Sequence, residues 1–414
     1  MTPLTLRAAT RDDARRLAEN SLLSYPDAEW GVARRAERYL TGPYPIEGIT
    51  VAERDGELVG QARSIPYRGW FGGVESAVGG LAGVAVAPEA RRTGVAAALV
   101  RHHVSELQLA AAPWSMLYPF APDFYAAHGW APATRRLRWR FAPSALPRFE
   151  ERSRVRRLRL DDPRDLSALH AAYARHCVAV NGSLSRHPKV FQAHWDEQKD
   201  RRFAVGVGAP DAELAGYLFY EIQAVTQRPQ TLVVGEWVAL DAASERALLG
   251  FVAAQRDQVQ AVLLDTPVEH PLGALLDRGV AEVEDETMPV EHHPAATLYS
   301  GAMVRIVELT SALAARGYPR LSTQVAVEIT ADTLVPENIS VVTMTLEDGH
   351  PRVAPGRTPG APLVAGPVGP VSAVLTGGLR LADAARFGLL HVDGPVRELD
   401  PLFGLPVPYP LVAF

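Results

Sequence analysis

The sequence predicts an α/β (α+β) protein made of a sheet domain, a second copy of that domain and a third α/β region. Three observations predict it. A strand, helix, hairpin, strand, helix, strand order fills residues 1–150; three segments of that order return in residues 151–295; and alternating apolar runs around a helix resume in residues 296–414.

The elements follow in order. Residues 4–9 alternate like a short strand, and Thr10 with Asp13 has capping-box spacing for a helix with Ala14, Leu17, Leu22 and Leu23 on its apolar side. "ITVAERDGELVGQARSIPY" holds two strand patterns around Asp55-Gly56, a hairpin signal. "LAGVAVAP" is an apolar strand that runs into the small-residue helix of "EARRTGVAAALV", and "WSMLYPF" is a further strand. The run "RRLRWR", Arg135–Arg140, alternates Arg with Leu and Trp, as a strand with one face inward does; a nucleic-acid patch is the weaker reading.

The charged stretch "FEERSRVRRLRLDD" links to the second copy. There "RLRLDDPRDLSALHAAY" echoes "TLRAATRDDARRLAENSL", "PDAELAGYLFYEI" echoes "RDGELVGQARSI", and "EWVALDAASERALLGFVAAQ" echoes "GVAVAPEARRTGVAAALVRH". Aligned this way, Arg91, Gly94 and Ala96 become Ser244, Ala247 and Leu249, so a ligand held at those positions in the first copy is lost in the second. In the third region "VRIVELTSALAARG" reads as a strand into a helix, and "TQVAVEIT" and "NISVVTMTLEDG" as strands. Residues 350–370 read as an irregular Pro/Gly loop, and "VSAVLTGGLRLADAARFGLL" as a strand, a turn and a helix.

Composition narrows the function. The 414 residues are 47% hydrophobic and 21% charged with a formal charge of −5, the profile of a soluble globular chain with no basic surplus for nucleic acid or anionic membrane. Cys177 is the single cysteine, which excludes an internal disulfide and a multi-cysteine metal site; an inert half-buried thiol is the plain reading. His292-His293 and the scattered carboxylates lack metal-ligand spacing, so no metal is expected. No signal-peptide pattern or apolar run of ~20 residues occurs, so the expected location is cytoplasmic.

The chemistry concentrates at "VAVAPEARRTGVA". An open helix N-terminus carries unpaired N–H groups and partial positive charge, which suits phosphate oxygens. Gly94 and Ala96 keep its first turn free of bulk, and Arg91 and Arg92 add charge. This stretch resembles the acetyl-CoA-binding motif of the GNAT superfamily of N-acetyltransferases, and "LYPFAPDFYAAHGW" resembles that superfamily's later strand, loop and Tyr-bearing helix. The whole chain resembles the enhanced-intracellular-survival type: tandem GNAT domains, the second degenerate, then a sterol-carrier-protein-like domain.

The resemblance implies the following. Acetyl-CoA is the co-substrate, with its pantetheine arm along Val84, Ala85 and Val86 and its pyrophosphate on Arg91, Arg92, Thr93, Gly94, Val95 and Ala96. Tyr125 is the general acid, and the terminal carboxylate of Phe414 the general base. The acceptor is a small-molecule amine, an aminoglycoside among the candidates, held by Asp27 and Trp30 beside Glu29; the assembly is a homo-hexamer. Taken without the resemblance, the commoner fate of a helical Tyr such as Tyr125 is a core aromatic, the tail "VPYPLVAF" has packing on its own domain as its alternative, and loop acids are usually solvated. Ala413 stands where an acidic residue would help bind a polycation, which weighs against multi-site acetylation. The alternatives are a non-catalytic scaffold or apolar-ligand-binding protein, and a peptide or protein lysine acetyltransferase.

Overall fold

The computed structural model describes residues 3–26, 30–209, 212–224, 230–276, 282–283, 291–292 and 296–412. The chain forms two compact units. One gathers Met1–Thr134, Asn181–Ala193 and Gly301–Phe414; the other gathers Arg135–Val180 and His194–Ser300.

In the first unit, β1 (Thr5–Ala8), α1 (Ala14–Ser24), α2 (Val32–Thr41), β2 (Ile49–Arg54), β3 (Glu57–Phe71), β4 (Val74–Val86), α3 (Val95–Leu109), β5 (Trp114–Leu117), α4 (Pro122–Ala126) and β6 (Ala131–Pro132) follow one another. Thr10 and Asp13 close the expected capping box ahead of α1. Asp55 and Gly56 both take positive φ (55° and 78°), as a tight β2–β3 turn of the I′ kind requires. Strands β1 to β4 are antiparallel neighbours, and β4 and β5 run parallel.

Helix α3 seats on this sheet through Val95, Leu99, Val100, Val104 and Leu107, packed with Ala62, Leu81 and Val84. Leu99 is fully buried, a contribution of roughly 1.5–3 kcal/mol. Truncation to Ala would cost ~2–5 kcal/mol once the cavity is included. A Cβ on Gly60 would lie 2.6 Å from Val95 Cγ1, so glycine lets the start of α3 sit directly on β3.

Strand Met303–Ile306 was expected to open the third region. Instead it inserts between β5 and β6 and pairs antiparallel with both. Its four residues are buried, Arg305 among them, and so short a stretch carries no period that says which sheet it joins.

The rest of the third region forms its own five-stranded sheet in the order 350–355, 341–347, 323–331, 363–367, 391–393. Residues 350–370 are therefore not an irregular loop: they supply strands His350–Pro355 and Leu363–Pro367. The prolines of the first are tolerated because it is an edge strand. Residues 371–376, expected to be a strand, belong to a helix, Val368–Thr376, that is buried along nearly its full length, where burial all round erases the period that separates helix from strand.

The second unit repeats the first sheet's plan. Its strands lie in the order 155–157, 203–207, 216–224, 230–239, 261–267, 135–141, 296–300, again with the fourth and fifth parallel. Helices Pro163–Ala179 and Ala242–Ala253 occupy the places of α1 and α3 in chain order. Two arginines of strand Arg135–Phe141 are engaged by Asp265: Arg136 and Arg138 both pair with it, and Arg138 also covers the Tyr299 ring. No helix among the described residues is long and apolar enough to cross a membrane.

Candidate active site

The site begins where β4 stops pairing normally. Parallel pairing with β5 ends at Leu81 and Leu117. On its other side β4 slips register, Gln61 facing Ala85 while Arg63 faces Ala82, so Gly83 and Val84 bulge out of the ladder. Gly83 takes φ 57° there, a conformation glycine reaches without strain.

Two adjoining cavities open at this bulge. The smaller, ≈ 230 Å³, is bounded by Leu81–Val84, Tyr25, Tyr118, Phe120 and Tyr125. The larger, ≈ 840 Å³, shares Tyr25, Val84 and Phe120 with it and runs past Leu23, Val86 and Phe124 to Arg91, Arg92, Gly94, Val95, Ala96 and Ala97 at the start of α3.

At that far end Gly94 is the N-cap of α3 at φ 86°, with no side chain closing the helix start, and Arg92 also has positive φ (61°). The Ala98 N–H makes the first intrahelical bond, to the Gly94 carbonyl (3.0 Å), so the amides of Val95, Ala96 and Ala97 precede the ladder. With Arg91 and Arg92 beside them they form a seat for a polyanion. Arg91 is fixed by donating to the Val86 and Leu23 carbonyls (3.3 and 3.2 Å).

The corresponding helix of the second copy is closed. Asp241 accepts from the Ser244 N–H (2.6 Å) and Ser244 Oγ donates to the Asp241 carbonyl (2.8 Å). A carboxylate thus sits where an anion would, and Ser244, Ala247 and Leu249 are all buried.

The near end is aromatic. Tyr125 is buried on α4 with Phe120, Phe124 and Trp130 edge-on at 5.8, 5.1 and 6.3 Å. Burial, and then the neighbouring Tyr25, push its phenol well above the ordinary value of 10.0, so it is fully protonated at neutral pH.

Helix α4 is braced from the third region. Arg305 Nη1 donates to the His128 carbonyl (3.1 Å), its guanidinium lies 5.4 Å from the Trp130 ring, and Asp332 holds it through two bonds of 2.7 and 2.9 Å. The chain's tail also arrives here: the Tyr118 hydroxyl donates to the Val412 carbonyl (3.0 Å).

Of the residues singled out by sequence, Val84, Val86, Arg91, Arg92, Gly94, Val95 and Ala96 line the larger cavity, and Tyr125 lines the smaller. The Val84 carbonyl accepts from the Tyr25 hydroxyl (2.8 Å), so both valine carbonyls already have a protein donor. Ala85 is buried in the sheet away from the cavity, and Thr93 is turned to the Ala90 carbonyl and Arg54. Trp30 lies off the cavity wall, its ring covered by Arg34 at 4.3 Å and its carbonyl taken by Arg35. Asp27, Glu29, Ala413 and Phe414 lie outside the described residues. Sequence reasoning missed Tyr25, Tyr118, Phe120 and Phe124. The signal was the density of aromatics in "LSYP" and "LYPFAPDFY". Leu23, assigned to a buried helix face, is 56% exposed at the cavity mouth.

Comparison with known proteins supplies the family. An acetyltransferase (GNAT) domain family matches residues 5–133, a second acetyltransferase (GNAT) domain family matches residues 182–306, and the sterol carrier protein domain family matches residues 309–410. The whole fold is similar to a GCN5-related N-acetyltransferase from Anabaena variabilis (TM-score 0.83, 22% identity, 100% of each chain covered). It is also similar to a GCN5-related N-acetyltransferase from Kribbella flavida (0.78, 25%, 100% of this chain and 98% of that one). Eis1 from Mycobacterium abscessus is a third such structure (0.78, 22%, 99% of this chain and 100% of that one). No curated protein matches the chain. Both copies of the duplication are thus acetyltransferase (GNAT) domains, joined in one chain to a sterol carrier protein domain, and the whole fold is similar to that of Eis1.

Proposed function

We propose that the protein moves the acetyl group of acetyl-CoA to a primary amine of a small cationic acceptor, an aminoglycoside among the candidates. The observation that carries this reading is the continuous path from the uncapped start of α3, past the bulge of β4, to the phenol of Tyr125. On this reading only the first copy binds the co-substrate, because Asp241 closes the equivalent helix of the second. The functional divisions are residues 1–150, 151–295 and 296–414, and the third supplies the base.

The amides of Val95–Ala97 with Arg91 and Arg92 hold the pyrophosphate, and the pantetheine arm lies along Val84 and Val86. The thioester then reaches the smaller cavity. The Phe414 carboxylate removes a proton from the acceptor ammonium; the Tyr118–Val412 hydrogen bond, two residues earlier, supports that assignment. The free amine attacks the thioester carbonyl, a C–N bond forms, and the tetrahedral intermediate collapses with loss of CoA thiolate. Tyr125 donates a hydrogen bond to the departing sulfur and delivers its proton, and it is restored by the proton that the nitrogen sheds as the amide forms. The thiol is the stronger acid (reference ~8.5), so stabilising developing negative charge on sulfur is the larger part of this role.

The test is CoA release from acetyl-CoA with a panel of aminoglycosides, polyamines and lysine peptides, for wild type, Tyr125→Phe and a chain lacking Phe414. Turnover with a small amine that collapses in both variants while acetyl-CoA binding persists supports the reading. Turnover confined to peptides moves the acceptor to protein lysine, and absent acetyl-CoA binding replaces the enzyme with a scaffold. The same reading expects a cytoplasmic homo-hexamer, which sedimentation of the full chain checks.

A further inference from the structure

The segment that follows helix Pro163–Ala179 leaves the second copy's sheet and joins the first unit. It runs along the edge of β3: the Gly182 N–H donates to the Trp70 carbonyl (2.7 Å), the Trp70 N–H to the Ser183 carbonyl (3.1 Å) and the Ser185 N–H to the Arg68 carbonyl (2.7 Å). At its head, Asn181 is 6% exposed and spends its amide on three separate parts of the unit. Oδ1 accepts from the Gly72 N–H in the β3–β4 turn (3.1 Å). Nδ2 donates to the Thr376 carbonyl at the end of helix Val368–Thr376 (2.9 Å) and to the Pro406 carbonyl in the tail (2.6 Å). Its own carbonyl accepts from the Tyr409 N–H (2.9 Å). Next to it Gly182, at φ 74°, leaves room for the tail: a Cβ there would lie 2.3 Å from Pro408 Cβ.

We propose that Asn181 is a positioning residue for acetyl transfer, a clamp that ties the C-terminal tail to the hairpin of the catalytic sheet and so directs it at the cleft. This rests on the Phe414 base assigned above. Pro406 and Tyr409 are gripped at Asn181, and Val412 is gripped by Tyr118, so the path between them is held at both ends. An amide is the right group, since the site needs one acceptor and two donors without charge. A base held in register spares the reaction the cost of finding it, and a displacement of ~1 Å costs on the order of 10²-fold in rate.

The experiment is a double-mutant cycle in the full chain between Asn181→Ala and removal of Phe414, read as kcat and as KM for acetyl-CoA. Asn181→Ala lowers kcat about 10- to 100-fold with KM for acetyl-CoA within about twofold, and adds nothing once Phe414 is absent. Multiplying effects in the double variant overturn the clamp, as does a folded Asn181→Ala chain with unchanged kcat. If removing Phe414 alone is harmless, the base assignment falls on that single measurement, whatever Asn181→Ala does, and the clamp falls with it. Should Asn181→Ala not fold, Gly182→Ala takes its place in the cycle. It presses on Pro408 without touching the amide, and an unchanged kcat there overturns the proposal equally.

Discussion

The buried pair Arg305–Asp332 sets up a prediction whose size can be worked from its surroundings. Both side chains are 0% exposed. Besides Arg305, the Asp332 carboxylate accepts from the Leu334 and Val335 amides and from Asn338 Nδ2, each at 3.0 Å. Asp332→Asn keeps the shape but removes the charge, turning an N–H₂ group toward donors and leaving the guanidinium uncompensated. Breaking a buried pair from one side costs about 3–5 kcal/mol, a large share of the ~5–15 kcal/mol of a typical fold. Changing both partners together, Arg305→Met with Asp332→Leu, removes the charge imbalance and recovers most of the loss. Urea unfolding followed by tryptophan fluorescence, with Trp130 packed on the guanidinium, reads both variants. Two results refute the reasoning: a loss below about 1 kcal/mol for Asp332→Asn, or a double variant less stable than the single.

Three other expectations follow from the site. Gly94→Val forces a β-branched residue to φ 86° at the anion seat, so acetyl-CoA affinity measured by calorimetry falls at least about tenfold; an unchanged value removes α3 from the binding site. The Tyr125 phenol is raised above its unfolded value of 10.0, so its contribution to stability is complete below pH ~10 and is lost as pH climbs through the folded value. The kcat/KM profile therefore has no alkaline limb from Tyr125 below pH ~10, and a limb near pH 8–9 that vanishes in Tyr125→Phe would contradict this. Burial depresses His103 from 6.5 to about 3, with Ser64 and Ser115 on its two ring nitrogens. The unfolded chain binds the extra proton between those values, so stability is full above pH 6.5 and declines as pH falls toward 3. Melting temperatures of His103→Gln from pH 4 to 7 should show a flatter slope; an unchanged slope points to other groups.

What was legible in the sequence was local. Thr10 with Asp13, Asp55 with Gly56, and Gly94 before an Ala-rich run each encode a backbone geometry within a few residues, and each stands as read. The difference between the two helix starts was also visible, because Ser244 stands in place of an arginine and closes a capping box with Asp241. What stayed hidden depends on partners far along the chain. Nothing inside Met303–Ile306 says that it completes a sheet begun before residue 120, and nothing around Asn181 says that three distant backbones need its amide. Residues 371–376 failed for another reason: burial on every side removes the pattern that distinguishes one element from another. Trp30, an aromatic chosen for a cationic acceptor, has its ring covered by the chain's own Arg34, a neighbour that its place in the sequence does not announce.

The bond between Tyr118 and Val412 spans 294 residues of chain, which ties the finished cavity wall to the timetable of synthesis. At roughly 5–20 residues per second, a ribosome that has just added Tyr118 needs about 15–60 s more to supply Val412. Throughout that interval the anion seat at α3 is already encoded in the emerging chain, while the strand that flanks β5 and the tail are still to come. A prematurely stopped chain would then carry the start of α3 without the strand that sits between β5 and β6 and without the tail that meets Tyr118.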